Sequence, residues 1–162
     1  MDKTAIEHWS PVIGGQFWWT GLIFVLIFVP LMIFLGSKIS SKQRDMVLYG
    51  MGIYQLGNKA LTQIGYIFSD NYIMASNLPL HLCGLSGILA GIVVFYRKQI
   101  LFEFLYFFGL VGFIHSVLTP EFTGGVSSWK IFDYYVGHSM LIIIPVWLMK
   151  YYDFRLRPNS WW

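Results

Sequence analysis

Apolar residues are grouped along this chain into five runs, each long enough to form a membrane-spanning helix. Such a helix needs about 20 mostly apolar residues to cross the hydrocarbon core of a bilayer. The runs cover residues 17–36, 46–68, 78–95, 100–118 and 132–149. This pattern predicts an all-α fold, a polytopic membrane helical bundle with five transmembrane helices. The short segments between the runs leave no room for a second domain, so residues 1–162 are expected to form a single integral membrane domain.

Lysine and arginine residues are unevenly distributed between the predicted loops, and this indicates the orientation of the chain. Eight fall on one side of the predicted bundle: Lys38, Lys42, Arg44, Arg97, Lys98, Lys150, Arg155 and Arg157. Only Lys3 and Lys130 fall on the other side. Because basic residues accumulate in cytoplasmic loops, the N-terminus is predicted to lie outside and the C-terminus in the cytoplasm.

Composition excludes several other classes of protein. Charged residues make up 12% of the chain, against about 25% in an ordinary soluble domain. So few charged residues cannot provide the polar surface of a soluble enzyme, a disordered chain or a nucleic-acid-binding protein. The net charge of +3 is explained by the basic loops, and the single cysteine, Cys83, excludes an intramolecular disulfide. The expected partners are therefore membrane lipids and not nucleic acid.

The second run differs from the others because polar residues follow one face of its helix. They recur at offsets of 0, 3, 4, 7, 8 and 11 residues and are Gln55, Asn58, Lys59, Thr62, Gln63 and Tyr66. A lysine at the centre of an isolated span costs about 2.5–3.5 kcal/mol. We therefore expect this face to meet other helices or a water-filled cavity. Amides on such a face also serve purely to join helices by hydrogen bonds, which is the structural alternative to a binding site.

Two carboxylates, Glu103 and Asp133, are candidates for the counter-charge of Lys59. Glu103 lies one turn inside the cytoplasmic end of the fourth run, and we expect it to pair with Arg97 or Lys98 there. Asp133, at the outer end of the fifth run, is then the remaining candidate for Lys59.

Three histidines and the cysteine fall in the outer half of the predicted bundle. His81 and Cys83 lie in the first two turns of the third run, His115 in the last turn of the fourth, and His138 near the start of the fifth. A cysteine nucleophile needs a base within hydrogen-bond reach, and His138 is the candidate base for Cys83. His81 points about 200° away from Cys83 on a regular helix, so it joins them only if the helix begins irregularly.

The alternative for the cysteine is a buried thiol in a face of small residues, namely Cys83, Ser86, Gly87 and Ala90. A metal site formed by His81, His115 and His138 is a further alternative. No two of these histidines have the i, i+4 spacing of a helical metal site, and no carboxylate supports them. We therefore predict no metal and no cofactor.

Three motifs in the second half of the chain look familiar. NLPLHLCGLSGILA (residues 77–90), HSVLTPE (115–121) and DYYVGHSMLIIIP (133–145) resemble the YwaF-like family of bacterial integral membrane proteins. The resemblance implies a multi-pass protein of the bacterial inner (cell) membrane. In that family a segment like RLRPNSWW leads into two further spans. The chain is thus either truncated at its C-terminus, lacking two helices, or a natural five-span protein.

A more distant similarity is to a vertebrate transmembrane acyltransferase of ether phospholipids that uses a cysteine and a histidine. Its histidine matches His138, whereas its cysteine aligns with Leu80 rather than Cys83. The similarity implies acyl transfer on a lipid. The residues expected to take part are His138 as general base, Cys83 as nucleophile and His81 beside them, with Lys59, Gln55, Asn58 and His115 binding the substrate.

Two other functions fit the same residues. One is a transporter or proton pathway lined by Gln55, Lys59, His115 and His138. The other is a non-catalytic membrane subunit that docks a helix partner or a second copy through the face of Gly84, Gly87 and Gly91.

Overall fold

A computed structural model describes residues 8–68, 82–123, 126–158 and 160. This part of the chain forms five helices, α1 (Gln16–Lys38), α2 (Ser41–Ile67), α3 (Leu82–Phe95), α4 (Gln99–Leu118) and α5 (Ser128–Tyr151). The two-residue strands β1 (His8–Trp9) and β2 (Phe122–Thr123) pair in an antiparallel ladder. The predicted all-α bundle is confirmed, with this short ladder as an addition that the hydrophobic pattern does not reveal.

Three of the helices, α1, α4 and α5, are long and apolar enough to cross a membrane. Helix α3 is apolar but has only 14 described residues, because the first part of the predicted third span lies outside the described residues. Helix α2 is the longest, with 27 residues, and carries the polar face. Five spans and the outside position of the N-terminus stay predictions.

Helix α5 lies in the middle of the bundle and contacts the other four helices. Its second half is almost completely buried, including Ile143, Ile144, Trp147 and Leu148. Helix α1 instead exposes an apolar stripe, with Ile23, Leu26, Ile27 and Phe34 more than half exposed. An exposed apolar stripe on a bundle helix is the surface expected to meet lipid tails.

Proline and glycine let α4 approach α5 closely. Pro145 has no N–H, so the carbonyl of Leu141 one turn earlier loses its helical hydrogen bond. A Cβ atom at Gly109 of α4 would lie only 2.8 Å from that carbonyl oxygen. The missing side chain therefore allows α4 to pack directly against the opened turn of α5.

Glycines also bring α2 and α3 together. A Cβ atom at Gly52 would lie 2.9 Å from Val94 Cβ, and one at Gly91 would overlap the side chain of Leu56. Gly87 meets α2 in the same way, at Lys59. The small-residue face of α3 that was predicted to dock a partner is thus covered by α2 within this chain.

The two ends of the bundle differ in chemistry. At the strand end, where β1 and β2 lie, the contacts are mainly aromatic: Trp9 packs on Phe17 and Phe122 with ring centroids 5.0 and 5.6 Å apart. Trp18 Nε1 there donates to the Leu118 carbonyl at 2.8 Å and ties α1 to α4. At the tail end, where residues 152–158 follow α5, the contacts are mainly ionic.

The prediction that Glu103 pairs with Arg97 or Lys98 is wrong. Its carboxylate is 3% exposed and accepts hydrogen bonds from Arg157 Nη2 at 2.6 Å and Nε at 2.9 Å. Arg97 pairs instead with Asp45 at 3.1 Å. The physical reason is that the chain folds back beneath α4 after α5, which brings Arg157 to a carboxylate 54 residues earlier in sequence.

Candidate functional site

The carboxylate of Asp133, in the second turn of α5, is held by two residues of α2. The hydroxyl of Tyr54 donates a short hydrogen bond to Oδ1, and Asn58 Nδ2 donates to Oδ1 at 2.7 Å and Oδ2 at 2.8 Å. Tyr54 and Asn58 reach the same carboxylate because residues four apart lie on the same face of a helix. These hydrogen bonds therefore tie α2 to α5 through a single carboxylate.

A second connection between these helices lies one turn away. Gln55 is 2% exposed, and its Nε2 donates to the carbonyl oxygen of Gly137 at 2.7 Å. The prediction that the polar face of α2 turns toward other helices is confirmed for Gln55 and Asn58. Thr62 is exposed, and the side chain of Tyr66 lies outside what the structure describes.

Lys59 extends from the same face of α2 across the surface of α3. A Cβ atom at Gly87 would lie 2.7 Å from Lys59 Cε, so the missing side chain makes room for the lysine. The Asp133 carboxylate lies within electrostatic range of the ammonium group. Glu103 is occupied by Arg157 at the tail end, so Asp133 remains the candidate counter-charge of Lys59. We refer to Tyr54, Gln55, Asn58, Lys59 and Asp133 as the polar cluster.

His138 is held in one orientation by Tyr134, one turn earlier on α5. Its Nδ1 lies 2.7 Å from the Tyr134 carbonyl oxygen, and the two ring centroids are 4.2 Å apart. Because a carbonyl oxygen only accepts, we assign the proton of the neutral imidazole to Nδ1. The basic lone pair then belongs to Nε2, which is the arrangement that a general base requires.

Tyr134 is fixed in turn by the end of α4. Its hydroxyl donates to the carbonyl oxygen of Ser116 at 3.1 Å and accepts from the backbone N–H of Glu121 at 3.4 Å. The chain thus positions the imidazole through a tyrosine that contacts both α4 and the segment leading to β2.

Cys83 lies at the edge of the polar cluster. Its thiol donates to the carbonyl oxygen of Gly112 on α4 at 3.7 Å. Its neighbours Ser86 and Ala90 are buried, as the packing interpretation of this face predicts. The pairing of Cys83 with His138 stays a prediction.

The two remaining histidines are not brought to the polar cluster by the described residues. His115 is exposed near the end of α4, where its Nδ1 lies 3.4 Å from Thr119 Oγ1. His81 lies outside the described residues. Within the described ranges, no group of three or more histidine, cysteine or acidic residues is arranged to hold a metal ion.

Sequence reasoning missed two members of this site. Tyr54 precedes the polar stripe by one residue and was not counted with it, although its i, i+4 spacing to Asn58 is the signal that identifies it. Tyr134 precedes His138 by one helical turn, but its hydrogen bonds to Ser116 and Glu121 depend on tertiary packing and leave no signal in the sequence.

The apolar helices and the polar cluster between them define a helical membrane protein. A model of the TMEM164 family matches residues 6–162, and the chain therefore belongs to the TMEM164 family. Comparisons with curated proteins and with solved structures gave no match. The assignment to a bacterial YwaF-like group stays a prediction from the sequence motifs.

Proposed function

We propose that this TMEM164-family protein is a lipid acyltransferase whose reacting groups are His138 and Cys83. The observation that carries the proposal is the contact of His138 Nδ1 with the Tyr134 carbonyl, which makes Nε2 the unprotonated nitrogen of the neutral ring. The proposal includes a YwaF-like, multi-pass protein of the bacterial cell membrane with five spans, its N-terminus outside and its C-terminus in the cytoplasm.

In the first half-reaction, His138 Nε2 takes the proton of the Cys83 thiol, and the thiolate attacks the ester carbonyl of a donor lipid. The ester C–O bond breaks, and the lysolipid oxygen leaves with the proton from His138. In the second half-reaction, an acceptor lipid loses its hydroxyl proton to His138 and attacks the thioester. The ester of the acceptor lipid forms, and the thiol is released with that proton.

The thiol has to leave the Gly112 carbonyl before it reacts. Rotation of the cysteine side chain between staggered rotamers moves Sγ without any change in the helix. We propose that Lys59, whose side chain lies over Gly87 one helical turn from Cys83, supports the step through its positive charge. We propose the same ammonium as the group that holds an anionic part of the lipid substrate.

The other predicted substrate-binding residues take more limited roles. Gln55 and Asn58 spend hydrogen-bond donors on Gly137 and Asp133. We propose that they keep α2 in register with α5, so that Lys59 projects toward Cys83. We propose that His115, exposed at the strand end, contacts the lipid headgroup. For His81 the proposal of a position beside Cys83 rests on the sequence alone.

The test uses the purified full chain in liposomes with a labelled phospholipid donor and a lysophospholipid acceptor. His138→Ala is expected to abolish acyl transfer, whereas the control Lys98→Ala, at an exposed residue of the α3–α4 loop, retains it. Hydroxylamine-sensitive acylation of Cys83, read by intact mass, supports the covalent route. Full activity in Cys83→Ala removes that route, and full activity in a folded His138→Ala removes the proposal as a whole.

A second candidate function is transport through the polar cluster. It is favoured by the charge pair of Lys59 and Asp133 inside the bundle, because intramembrane ionisable residues often mark ion or substrate pathways. In proteoliposomes, Lys59→Met is then expected to abolish solute or proton flux, while the exposed Lys98→Met leaves it unchanged. Absence of flux under every imposed ion gradient contradicts this function.

A non-catalytic subunit that docks through Gly84, Gly87 and Gly91 receives no support from the packing. Gly87 and Gly91 already contact α2, so a partner helix would have to displace it. Co-purification from native membranes tests this function, since a stoichiometric partner favours it and a lone chain does not.

A further inference from the structure

We propose that Arg44 and Lys150 form a binding site for the phosphate group of an anionic phospholipid at the tail end of the bundle. The two cations share one aromatic ring. The Arg44 guanidinium carbon lies 4.6 Å and Lys150 Nζ 5.5 Å from the ring centroid of Tyr151. The acyl-transfer proposal does not involve these residues.

The guanidinium of Arg44 is held in place before any ligand arrives. Its Nε donates to the carbonyl oxygen of Gly36 at 2.7 Å, and its plane is supported by Tyr151. Tyr151 is itself fixed, because its hydroxyl donates a short hydrogen bond to the Ile33 carbonyl. A Cβ atom at Gly36 would lie 2.9 Å from Tyr151 Cε2, so the ring fills the space beside this glycine.

Arg44 lacks the anion that its neighbours have. Arg97 is paired with Asp45, and Arg157 with Glu103. Within the described residues, Arg44 forms no ion pair, and its two terminal amino groups have no hydrogen-bond acceptor. A planar guanidinium with both amino groups available matches the oxygens of a phosphate, which it binds with two parallel hydrogen bonds.

The position of the site matches the depth of lipid headgroups. Helices α1 and α5 are long and apolar enough to cross a membrane, and they end at Lys38 and Tyr151. The ends of such helices lie at the membrane surface. Phe34 and Leu35, 56% and 46% exposed, continue from the site along α1 and offer an apolar surface to an acyl chain.

The charge of the site favours an anionic lipid over a zwitterionic one. Lys38 adds a third cation near Phe34, with Nζ 5.1 Å from its ring centroid. The carboxylate of Asp45, next to Arg44 in sequence, is engaged by Arg97 and Tyr152 and does not compete for the guanidinium. A headgroup that carries its own ammonium therefore meets cations here, and the nearby carboxylate of Asp45 is already paired.

The test is native mass spectrometry of the purified full chain with phosphatidylglycerol or phosphatidylcholine. We expect phosphatidylglycerol to bind more tightly, and Arg44→Gln to weaken it about tenfold, the loss expected for a charge-assisted hydrogen bond. Lys150→Gln is expected to weaken it less, and the control Lys98→Gln, an exposed lysine of the α3–α4 loop, to leave it unchanged.

Three results overturn the proposal. The first is wild-type binding of phosphatidylglycerol by Arg44→Gln, and the second is equal binding of both lipids by the unmodified chain. The third is binding of inorganic phosphate that is as tight as binding of the lipid and disappears in Arg44→Gln. That result would assign the site to soluble phosphate. If Arg44→Gln proves unstable because it loses the Gly36 contact, Lys150→Gln decides, and unchanged lipid binding in that variant also overturns the proposal.

Discussion

His138 Nδ1 donates a hydrogen bond to the carbonyl oxygen of Tyr134, 2.7 Å away on the preceding turn of α5. This contact sets the tautomer of the imidazole and directs the basic nitrogen away from the backbone. Tyr134 therefore influences the proposed chemistry through its position, although it is not itself proposed to react. The first prediction separates these two roles.

Tyr134→Phe is expected to lower the rate of acyl transfer several-fold, with a smaller effect on KM than on kcat. The variant retains the ring beneath His138 and loses the hydroxyl contacts to Ser116 and Glu121. A net loss of about 1 kcal/mol in the free energy of unfolding is expected for such a hydrogen bond. Steady-state kinetics and thermal unfolding in detergent measure the two effects. An effect on KM alone contradicts a positioning role.

Asp133→Ala is expected to destabilise the bundle by about 3 kcal/mol, because it removes the acceptor of three hydrogen bonds and the counter-charge of Lys59. The double variant with Lys59→Met is expected to recover part of that loss, since it no longer carries an uncompensated cation. Denaturant unfolding followed by tryptophan fluorescence provides the measurement. Asp153→Asn is the control, at an exposed position after α5 whose positive φ asparagine also tolerates. Strictly additive losses in the double variant argue against the charge pair.

Gly87→Ala is expected to displace Lys59, because the new methyl group would lie 2.7 Å from Cε. The side chain of lysine is flexible, so we expect the fold to survive and the function that depends on Lys59 to fall. Gly57→Ala is the matched control on α2, where nothing lies within 4 Å of a new Cβ atom. Removing a glycine there is expected to stabilise the helix by about 0.5–1 kcal/mol. Equal activity of the two variants contradicts the placement of Lys59 over α3.

We expect the free energy of unfolding to depend on pH through two residues of the tail end, Asp45 and Tyr152. Hydrogen bonds from Tyr152 and Arg97 lower the pKa of Asp45 below its usual 3.8. Its contribution is therefore present above pH 3.8 and lost as the pH falls through the lowered pKa. Burial and the hydrogen bond to Asp45 raise the pKa of Tyr152 from 10.0 to about 12. The contribution of Tyr152 is present below pH 10.0 and lost as the pH rises toward 12.

Melting temperatures measured across pH test this expectation. Tyr152→Phe is expected to weaken the alkaline loss, and Asp45→Asn the acidic one. Tyr96→Phe, at an exposed tyrosine of the α3–α4 loop, is the matched control. An alkaline transition that is identical in Tyr152→Phe and the unmodified chain rules out this origin.

The helical class and the inward-facing part of α2 were predictable because both depend on local geometry. A run of apolar residues indicates a membrane helix whatever its neighbours are, and polar residues spaced three and four apart share one face. Gln55, Asn58 and the cation of Lys59 were found in this way. The choice of Asp133 over Glu103 as counter-charge followed from the depth of each residue along its helix.

The sequence by itself thus determined that this is a helical membrane protein with a polar face on its second helix. Only the tertiary structure decided the partners of that face, because hydrogen bonds between helices depend on their rotation and crossing. It joined Gln55 to the Gly137 carbonyl 82 residues away, Glu103 to Arg157, and the Cys83 thiol to the Gly112 carbonyl. Backbone carbonyls and a folded-back tail leave no periodic signal in a sequence, and packing alone brings them to these side chains.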